Sequence, residues 1–336
     1  MSKKKVKVVI AGATGAVGRT MVRVLEERNF PVSELRLLCS ERSAGSVIKF
    51  HGKDIVAEEL TEKSFDGFQV ALFSMSKGMS RKFAPIAAKA GCVVVDNSND
   101  WRMDKDVPLV VPEVNPQDIK KHHGIIANPN CSTIQMVVAL KPLHDAAELR
   151  RVVVSTYQAV SGVSAAAMDE LRRESSEAVQ GKKPRVEIFP VQIAFNCIPQ
   201  IPQSDAFTHH GYTSEEMKMV NETRKIMGLP DLLVSPTTVR VPVINCHSES
   251  VNAEFRRPLS ADRARELLRK APGVVVMDDP SQQLWPCAIV ADNRDEVFVG
   301  RIRQDISCEN ALNLWVVSDN LRKGAATNAI QIAELL

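Results

Sequence analysis

The sequence has 336 residues, of which 44% are hydrophobic and 25% are charged, and its formal net charge is +3. This length can bury two sizeable cores, so we expect two domains. No apolar run approaches the ~18 residues needed to cross a bilayer, and the small net charge argues against a nucleic-acid-binding surface. The seven scattered cysteines, without a signal peptide, indicate reduced thiols in a cytoplasmic protein, and their spacing suggests no metal site.

The first third of the chain alternates short β-branched runs with amphipathic stretches, which is typical of a buried parallel sheet with covering helices. The strands are expected at 6–11, 35–40, 70–74 and 92–96, and the helices at 19–28 and 81–90.

Beyond about residue 151 the predicted strands are farther apart and longer helical stretches lie between them. This pattern predicts a mixed sheet with helices on one face. A final helical stretch at 320–336 is placed to return to the first domain. The strands are expected at 152–157, 239–244 and 297–302, and the other helices at 165–180, 215–227 and 261–271.

The predicted fold class is therefore α/β. A Rossmann-type parallel-sheet domain is expected at residues 1–130, completed by a C-terminal helix at 318–336. An α+β domain with a mixed sheet is expected at residues 131–317.

A glycine-rich turn joins the first predicted strand to the first predicted helix. Its sequence, G-A-T-G-A-V-G at 12–18, is a variant of the dinucleotide-binding pattern. Glycines allow the backbone to approach a pyrophosphate, which then lies at the helix N-terminus. We expect a dinucleotide here, and the alternative is a tight turn with no ligand. The expected contacts are Gly12, Thr14, Gly15, Ala16 and Val17.

The end of the second predicted strand bears on the choice between NAD and NADP. An acidic side chain there normally binds the ribose diol of NAD, whereas an arginine accommodates the 2′-phosphate of NADP. Ser40, Arg42 and Ser43 therefore favour NADP, and we expect the intervening Glu41 to point outward.

A cysteine precedes the apolar helical run 134–143, within the segment N-P-N-C-S-T at 128–133. A thiol at a helix N-terminus lies at the positive end of the macrodipole, near free N–H groups, and both favour the reactive thiolate. We interpret Cys131 as a candidate nucleophile. The alternative is a buried cysteine that merely begins a helix.

Several motifs taken together resemble those of the aspartate-β-semialdehyde dehydrogenase family along essentially the whole chain. Motifs in the same order are far more specific than any one of them. Besides the glycine turn and the Cys131 segment, they are D-N-S at 96–98, Arg102, P-E-V-N at 112–115, Y-Q-A-V-S-G at 157–162, V-R-V-P at 239–242, C-H-S at 246–248 and N-L-R-K-G at 320–324.

The resemblance implies the NADPH-dependent reduction of L-aspartyl-4-phosphate to L-aspartate 4-semialdehyde, with release of phosphate, in lysine, threonine and methionine biosynthesis. Cys131 would attack the acyl phosphate and form a thioester, which hydride from the nicotinamide then reduces. His247 resembles the family's acid/base. Gln158 resembles the residue that orients the substrate beside the thiol.

The resemblance also matches residues to the charged groups of the substrate. Arg240 resembles the carboxylate clamp, and Glu215 resembles the contact for the ammonium group. Arg102 and Lys218 resemble the phosphate contacts, and Asn130 is expected to contact the substrate beside the thiol. The family's motifs place three further residues on the cofactor: Ser161, Gly162 and Asn320.

Glu215 and Lys218 are three residues apart, so they share one face of a helix whose capping box Thr213 and Glu216 would form. Without the resemblance, Glu215 and Lys218 would be interpreted as a solvated surface pair. The two arginines would then be candidates for structural ion pairs.

Strand alternation gives two further expectations. Cys246 adjoins His247, so the two face opposite sides of a strand and Cys246 belongs to the core. Arg240 and His247 are an odd number of residues apart, and a regular strand would place them on opposite faces. A bulge or edge at Pro242 would change the register.

Two segments depart from the family pattern. A small, glycine-rich loop is usual where this chain has S-M-S-K-G at 74–78, and a small residue plus phenylalanine is usual where it has N-D-W at 99–101. Both changes add bulk or charge near the expected nicotinamide and phosphate positions, so they bear on cofactor preference and turnover.

Two other functions fit part of the pattern. N-acetyl-γ-glutamyl-phosphate reductase uses the same acyl-phosphate chemistry, but Glu215, Arg240 and the segment at Asn320 favour the aspartyl substrate. A catalytically silent homologue acting as a binding protein would be expected to have lost the cysteine, glutamine or histidine named above, and all three are present.

The resemblance implies a homodimer, or a tetramer in some members, with a small-molecule substrate and no nucleic-acid or membrane partner. Residues 186–201 carry one charge in sixteen residues. They are expected to be either part of a subunit interface or a buried strand with loops.

Overall fold

The computed structural model describes residues 5–76, 78–202, 207–208 and 210–336. The strands are β1 Val6–Ala11, β2 Val32–Cys39, β3 Val47–Phe50, β4 Lys53–Val56, β5 Glu58–Glu59, β6 Val70–Phe73, β7 Val93–Asp96, β8 Ile125–Ala127, β9 Leu149–Gln158, β10 Leu233–Arg240, β11 His247–Phe255, β12 Val274–Val276, β13 Val297–Gln304 and β14 Ala311–Ser318. The helices are α1 Ala16–Glu27, α2 Met79–Lys89, α3 Cys131–Ala147, α4 Ala165–Val179, α5 Ser214–Met227, α6 Ala261–Lys270, α7 Ala288–Ala291 and α8 Thr327–Glu334.

The chain divides into two compact units. One runs to Asn130 and resumes at Ala325–Leu336, and the other comprises Cys131–Gly324. The C-terminal segment therefore joins the first unit at Ala325 rather than at residue 318, because β14 and the residues after it remain in the second unit. The α-helical part of the predicted helix at 320–336 is α8, which follows a π-helical turn at Arg322–Ala326.

The first unit is built on a parallel sheet with strand order β5-β2-β1-β6-β7-β8, as expected for a Rossmann-type domain. Its central strands β1, β6, β7 and β8 are mainly apolar, and every residue of β6 is buried. The chain moves from β1 outward to β2 and then returns to β6 on the other side of β1. Ligands of such sheets bind at this reversal, beyond the carboxyl ends of the strands.

The second unit contains a mixed sheet with strand order β10-β9-β11-β14-β13-β12, which confirms the predicted mixed sheet. Along β11, His247, Glu249 and Val251 are buried, whereas Ser250 between them is exposed. Helix α3 packs against β9, β11, β13 and β14.

The strand predicted at 239–244 is wrong. β10 ends at Arg240, residues 241–246 form a connection, and β11 begins at His247. Pro242 has no backbone N–H to donate to a ladder, and Cys246 has a φ of +73°, so neither residue continues a strand.

Residues 186–201 form no strand of a sheet; an isolated bridge pairs Ile198 with Arg240. Buried carboxylates of α4 hold this segment: Glu170 accepts from the backbone N–H of Ile188, and Glu174 accepts from that of Ile193 at 2.8 Å. Phe195 remains 70% exposed. The segment is therefore an ordered loop with an apolar surface.

All seven cysteines are free thiols, as the sequence predicts. Within the described residues, every helix is too short or too polar to cross a membrane.

Candidate active site

The two reactive side chains predicted from the sequence lie against each other in the second unit. Cys131 is the first residue of α3, and its Sγ is 3.2 Å from Nε2 of His247, the first residue of β11. Cys131 is partly exposed, whereas His247 is fully buried. An accessible thiol within hydrogen-bond distance of an imidazole is the arrangement that covalent catalysis requires.

The protonation of His247 follows from its other ring nitrogen. The backbone N–H of Ala159 donates to Nδ1 at 3.0 Å. A peptide N–H can only donate, so Nδ1 is an acceptor and the neutral ring carries its proton on Nε2, facing the sulfur. Burial, together with the charge of Arg240, lowers the pKa of His247 to about 3, against an opposing effect of Glu215. At neutral pH this histidine is therefore an uncharged N–H donor.

Arg240 is held by the backbone carbonyl group of Ala159. Its Nη1 donates to the carbonyl oxygen of Ala159 at 2.7 Å, and its buried Nε has no hydrogen-bond partner among the described residues. Burial lowers the pKa of Arg240, and the charges of Glu215 and Cys131 oppose that fall. A buried guanidinium with an unsatisfied donor suits a carboxylate supplied by a ligand.

Gln158, the last residue of β9, is oriented by two neighbours. Its Nε2 donates to Oε1 of Glu215 at 3.2 Å, and its Oε1 accepts from the hydroxyl of Thr156 at 3.4 Å. Glu215 is buried in the first turn of α5, where its Oε2 accepts from Nζ of Lys218 at 3.0 Å. The predicted capping box of this helix is confirmed.

Arg240 and His247 come together because they belong to different strands. One ends β10 and the other begins β11, so strand alternation does not separate them and no bulge is needed. The backbone N–H groups of Val160 and Ser161 donate to the connection between these strands, at the carbonyl oxygens of residues 243 and 244.

Two glycines make room for these groups. A Cβ on Gly162 would lie 3.2 Å from Nη1 of Arg240 and 3.3 Å from Cε1 of His247. A Cβ on Gly324 would lie only 2.8 Å from Cβ of Cys131. Gly324 belongs to a motif of the resemblance, but no local sequence pattern pointed to this packing contact.

Ser161 and Asn320 form a buried pair in the second unit. Nδ2 of Asn320 donates to Oγ of Ser161 at 2.9 Å, and Oδ1 of Asn320 accepts from the backbone N–H of Cys246 at 3.0 Å. Cys246 is buried, which confirms it as a core residue, but it precedes β11 and does not share a strand with His247 as expected. Burial raises the pKa of its thiol. The contacts of Ser161, Gly162 and Asn320 with a cofactor stay predictions.

The glycine turn of the first unit has the predicted form. Gly12 follows β1 with a φ of +86°, and Gly15 is the N-cap of α1. A Cβ on Gly12 would lie 2.0 Å from the backbone oxygen of Ser74, and one on Gly18 would lie 2.2 Å from that of Gly12. Among the described residues no side chain caps this helix, so its first N–H groups face outward for an anion.

A cavity of about 420 Å³ opens at this turn. Ala16 and Val17 begin α1, and Val17 packs on the hydrophobic core, so its backbone is the part that would contact a phosphate. An uncapped helix N-terminus beside such a cavity fits a dinucleotide. The cavity is lined by Gly12, Thr14, Gly15, Cys39, Ser40, Glu41, Glu59, Leu60, Ser74, Met75, Ser76 and Met79.

Of the residues predicted to select NADP, only some line the cavity. Ser40 lines the cavity, whereas Arg42 and Ser43 lie in the adjoining 3₁₀ turn. Glu41 is exposed and also belongs to the cavity lining, so the outward direction of its carboxylate stays a prediction. The turn begins directly after Ser40, and strand alternation no longer determines the direction of the next side chain.

Arg102 and Asn130 belong to the first unit, and both are buried. Nη2 of Arg102 donates to the carbonyl oxygen of Asn97 at 2.8 Å, which holds the guanidinium against the D-N-S motif. Asn130 is the residue before Cys131. Their contacts with substrate stay predictions.

The two departures from the family pattern meet at the start of α2. A carboxylate oxygen of Asp100 accepts from the backbone N–H of Gly78, the N-cap of α2, at 2.8 Å. The guanidinium of Arg81 lies 4.0 Å from the ring centre of Trp101. Much of the added bulk and charge is therefore engaged in structural contacts; Lys77 lies outside the described residues.

Comparison with known proteins gives one family. The family sequence model for "Semialdehyde dehydrogenase, NAD binding domain" matches residues 7–122, and that for "Semialdehyde dehydrogenase, dimerisation domain" matches residues 140–323. An aspartate-semialdehyde dehydrogenase of Aquifex aeolicus is 57% identical over 98% of this chain and 97% of its own length.

Solved structures agree with this assignment. The crystal structure of aspartate semialdehyde dehydrogenase II from Vibrio cholerae has a TM-score of 0.94 and 50% identity, covering 99% of this chain and 98% of that one. The same enzyme complexed with ASA has a TM-score of 0.95 and 49% identity, with the same coverage. This chain therefore belongs to the aspartate-semialdehyde dehydrogenase family.

Proposed function

We propose that the protein interconverts L-aspartyl-4-phosphate and L-aspartate 4-semialdehyde, using NADP(H) and phosphate, through a thioester on Cys131. The observation that carries this proposal is the 3.2 Å contact between Sγ of Cys131 and Nε2 of His247. The relatives of similar length are named aspartate-semialdehyde dehydrogenases, and one was solved with ASA bound.

Covalent chemistry begins at the sulfur. The Cys131 thiolate attacks the acyl carbon, a C–S bond forms, and phosphate leaves with the electrons of its C–O bond. His247 stabilises negative charge beside it by donating its Nε2–H. A bound nicotinamide nucleotide would supply the hydride that reduces the thioester. The resulting alkoxide re-forms a carbonyl and expels the thiolate directly. Neither this step nor the loss of phosphate requires His247 to give up its proton.

Charge complementarity favours the aspartyl substrate. Arg240 presents an unsatisfied donor for the α-carboxylate. Glu215, buried between Gln158 and Lys218, presents its negative charge to an ammonium group. Lys218 and Arg102 are proposed for the phosphate, because cationic donors are needed for a dianion. An N-acetylated substrate has no ammonium group to meet the charge of Glu215.

NADP is the proposed nucleotide. The uncapped N-terminus of α1 would hold the pyrophosphate, and Arg42, with Ser40 and Ser43, would bind the 2′-phosphate. Glu41 in the cavity lining favours a ribose diol instead, so NAD is the competing cofactor.

A homodimer is the proposed assembly. A family domain described as a dimerisation domain covers residues 140–323. Within it, Ile188, Val191 and Phe195 expose 42%, 49% and 70% of their surface on the loop that carries a single charge. We propose this loop as part of the subunit interface. A tetramer would require a second such surface.

A cytoplasmic location is proposed from the chemistry of Cys131. Its attack requires a reduced thiol, and a reducing compartment maintains one.

The activity is tested with purified protein, aspartate semialdehyde and NADP⁺, with and without phosphate, while reduced nicotinamide is followed by absorbance. We expect reduction of NADP⁺ that depends on phosphate. N-acetylglutamate semialdehyde in the same assay tests the related reductase, and we expect a much lower rate. No reduction of NADP⁺ or NAD⁺ with either aldehyde would contradict an active enzyme and favour a silent homologue.

A further inference from the structure

Two buried polar side chains, Glu249 on β11 and Gln135 on α3, lie on the same faces of these elements as His247 and Cys131. Glu249 lies two residues after His247 on β11, and alternate residues of a strand share a face. Gln135 lies four residues after Cys131 on α3, and residues four apart share a helix face. Helix and strand pack together. The Gln135 amide and the Glu249 carboxyl are therefore placed to meet next to the Cys131–His247 pair.

The surroundings of Glu249 favour its uncharged form. Its side chain is fully buried, and neither carboxyl oxygen has a hydrogen-bond partner of good geometry among the described residues. The residues opposite it on the neighbouring strands are Thr156 and Val316, which carry no charge. Burial raises the pKa of Glu249 well above its usual value, and Gln135 is the side chain that opposes this rise.

A neutral carboxyl and a primary amide are complementary. Each has one group that donates and one that accepts, so the pair can close two hydrogen bonds face to face. A carboxylate offers only acceptors and would leave the amide oxygen of Gln135 without a donor. The buried amide nitrogen of Gln135 has no hydrogen-bond partner of good geometry among the described residues.

We propose that Glu249, as a neutral acid, pairs with Gln135 to form a second link between β11 and α3 that sets the position of His247 relative to Cys131. Glu249 is thus a positioning residue, and this role rests on the function proposed above. Displacing a reacting group by about 1 Å can cost 100-fold in rate, so such a link has a measurable effect.

The test compares Glu249→Gln, which keeps a neutral hydrogen-bonding side chain, with Glu249→Leu, which fills the space without polar atoms. The first readout is the rate at which iodoacetamide alkylates Cys131 as a function of pH, followed on the Cys131 peptide by mass spectrometry. The second is kcat and KM for aspartate semialdehyde. Thermal unfolding of each variant shows whether it is folded at the assay temperature; Glu249→Leu should melt at a lower temperature than the parent protein, because it leaves the buried amide of Gln135 without this partner.

We expect Glu249→Gln to keep the alkylation profile and kcat within about threefold of the parent protein. Glu249→Leu should lower kcat by about tenfold or more and shift the alkylation profile, with KM changed less. Gln135→Leu should behave as Glu249→Leu does, and the double variant should add little further loss, because both changes remove the same link.

A stable Glu249→Leu protein with the parent's alkylation profile and kcat would overturn the proposal. So would a Glu249→Gln protein as impaired as Glu249→Leu, because it would show that the carboxylate charge is needed. Alkylation requires no substrate. If the parent protein lacks dehydrogenase activity but the profiles differ as expected, the proposed function fails while the link stands.

Discussion

The backbone N–H of Ala159 donates to Nδ1 of His247 at 3.0 Å, and this contact determines which ring nitrogen carries the proton toward Cys131. The carbonyl oxygen of Ala159 accepts from Arg240 at 2.7 Å. One residue's backbone therefore fixes both the tautomer of the histidine and the place of a cation beside it. A charged imidazolium would direct an Nδ1–H at the Ala159 N–H, so the geometry disfavours a thiolate–imidazolium pair.

His247 should therefore stay neutral over the working pH range. With a pKa of about 3, the folded form takes up no second ring proton on His247 between pH 6.5 and 3, whereas the unfolded chain does. This residue consequently lowers stability as the pH falls through that window. Nitrogen-15 NMR of histidine-labelled protein should show a neutral ring protonated at Nε2 from pH 8 to about 5. A His247 signal that titrates with a midpoint near pH 6.5 would contradict the neutral ring.

Gly324 should not tolerate a side chain. Gly324→Ala places a Cβ 2.8 Å from Cβ of Cys131, so the nucleophile must move. We expect kcat/KM to fall by about 10- to 100-fold, with NADP⁺ affinity unchanged. The control is Gly181→Ala, at a positive φ with open space around it, which should cost stability but not activity. Equal loss of activity in both variants would indicate a general folding defect.

Arg42 should select the nucleotide. Arg42→Ala should lower kcat/KM for NADP⁺ by about 10- to 100-fold and leave the value for NAD⁺ nearly unchanged, because charge-assisted hydrogen bonds to the 2′-phosphate are lost. The control is Glu41→Ala, which removes a carboxylate from the same cavity and should not lower the value for NADP⁺. An equal loss for both nucleotides in Arg42→Ala would exclude a role in selection.

Phe195 should contribute to self-association. A charge buried at an apolar interface is strongly unfavourable, so Phe195→Asp should convert the dimer to a monomer. Light scattering after size-exclusion chromatography measures the change in mass. Ile306→Asp, at a fully exposed position in the turn between β13 and β14, is the matched control and should leave the mass unaltered. A dimer that persists in Phe195→Asp would place the interface elsewhere.

Much of the fold could be predicted because local and long-range signals agree. The apolar run ending at Ala11 and the glycines after it predict a buried strand and a turn before α1. The helix starts three residues earlier than residue 19, because Gly15 serves as its N-cap. The Thr213–Glu216 spacing likewise predicted the capping of α5.

Errors arose where side-chain patterns do not record the backbone path. V-R-V-P-V-I at 239–244 has the composition of a strand, yet the chain leaves the sheet after Arg240, where Pro242 and the positive φ of Cys246 interrupt it.

Prediction of the site from the sequence has the same limit, because side-chain patterns do not record backbone contacts. Cys131, His247 and Arg240 could be found from residue type and motif because their side chains carry the chemistry. The part played by Ala159 could not, since a peptide N–H and carbonyl occur at nearly every position. Glu249 is also hidden in the sequence, because a glutamate on a strand is usually solvated and only packing shows that this one is buried.

The most direct test of the central claim is a search for the acyl group on Cys131. Protein without nucleotide is mixed with L-aspartyl-4-phosphate, quenched in acid, and analysed by peptide mass spectrometry, with Cys131→Ser as the control. We predict an aspartyl adduct on the Cys131 peptide of the parent protein, its absence in Cys131→Ser, and its loss when NADPH is added. An unmodified Cys131 in protein that still turns over substrate would contradict the thioester mechanism.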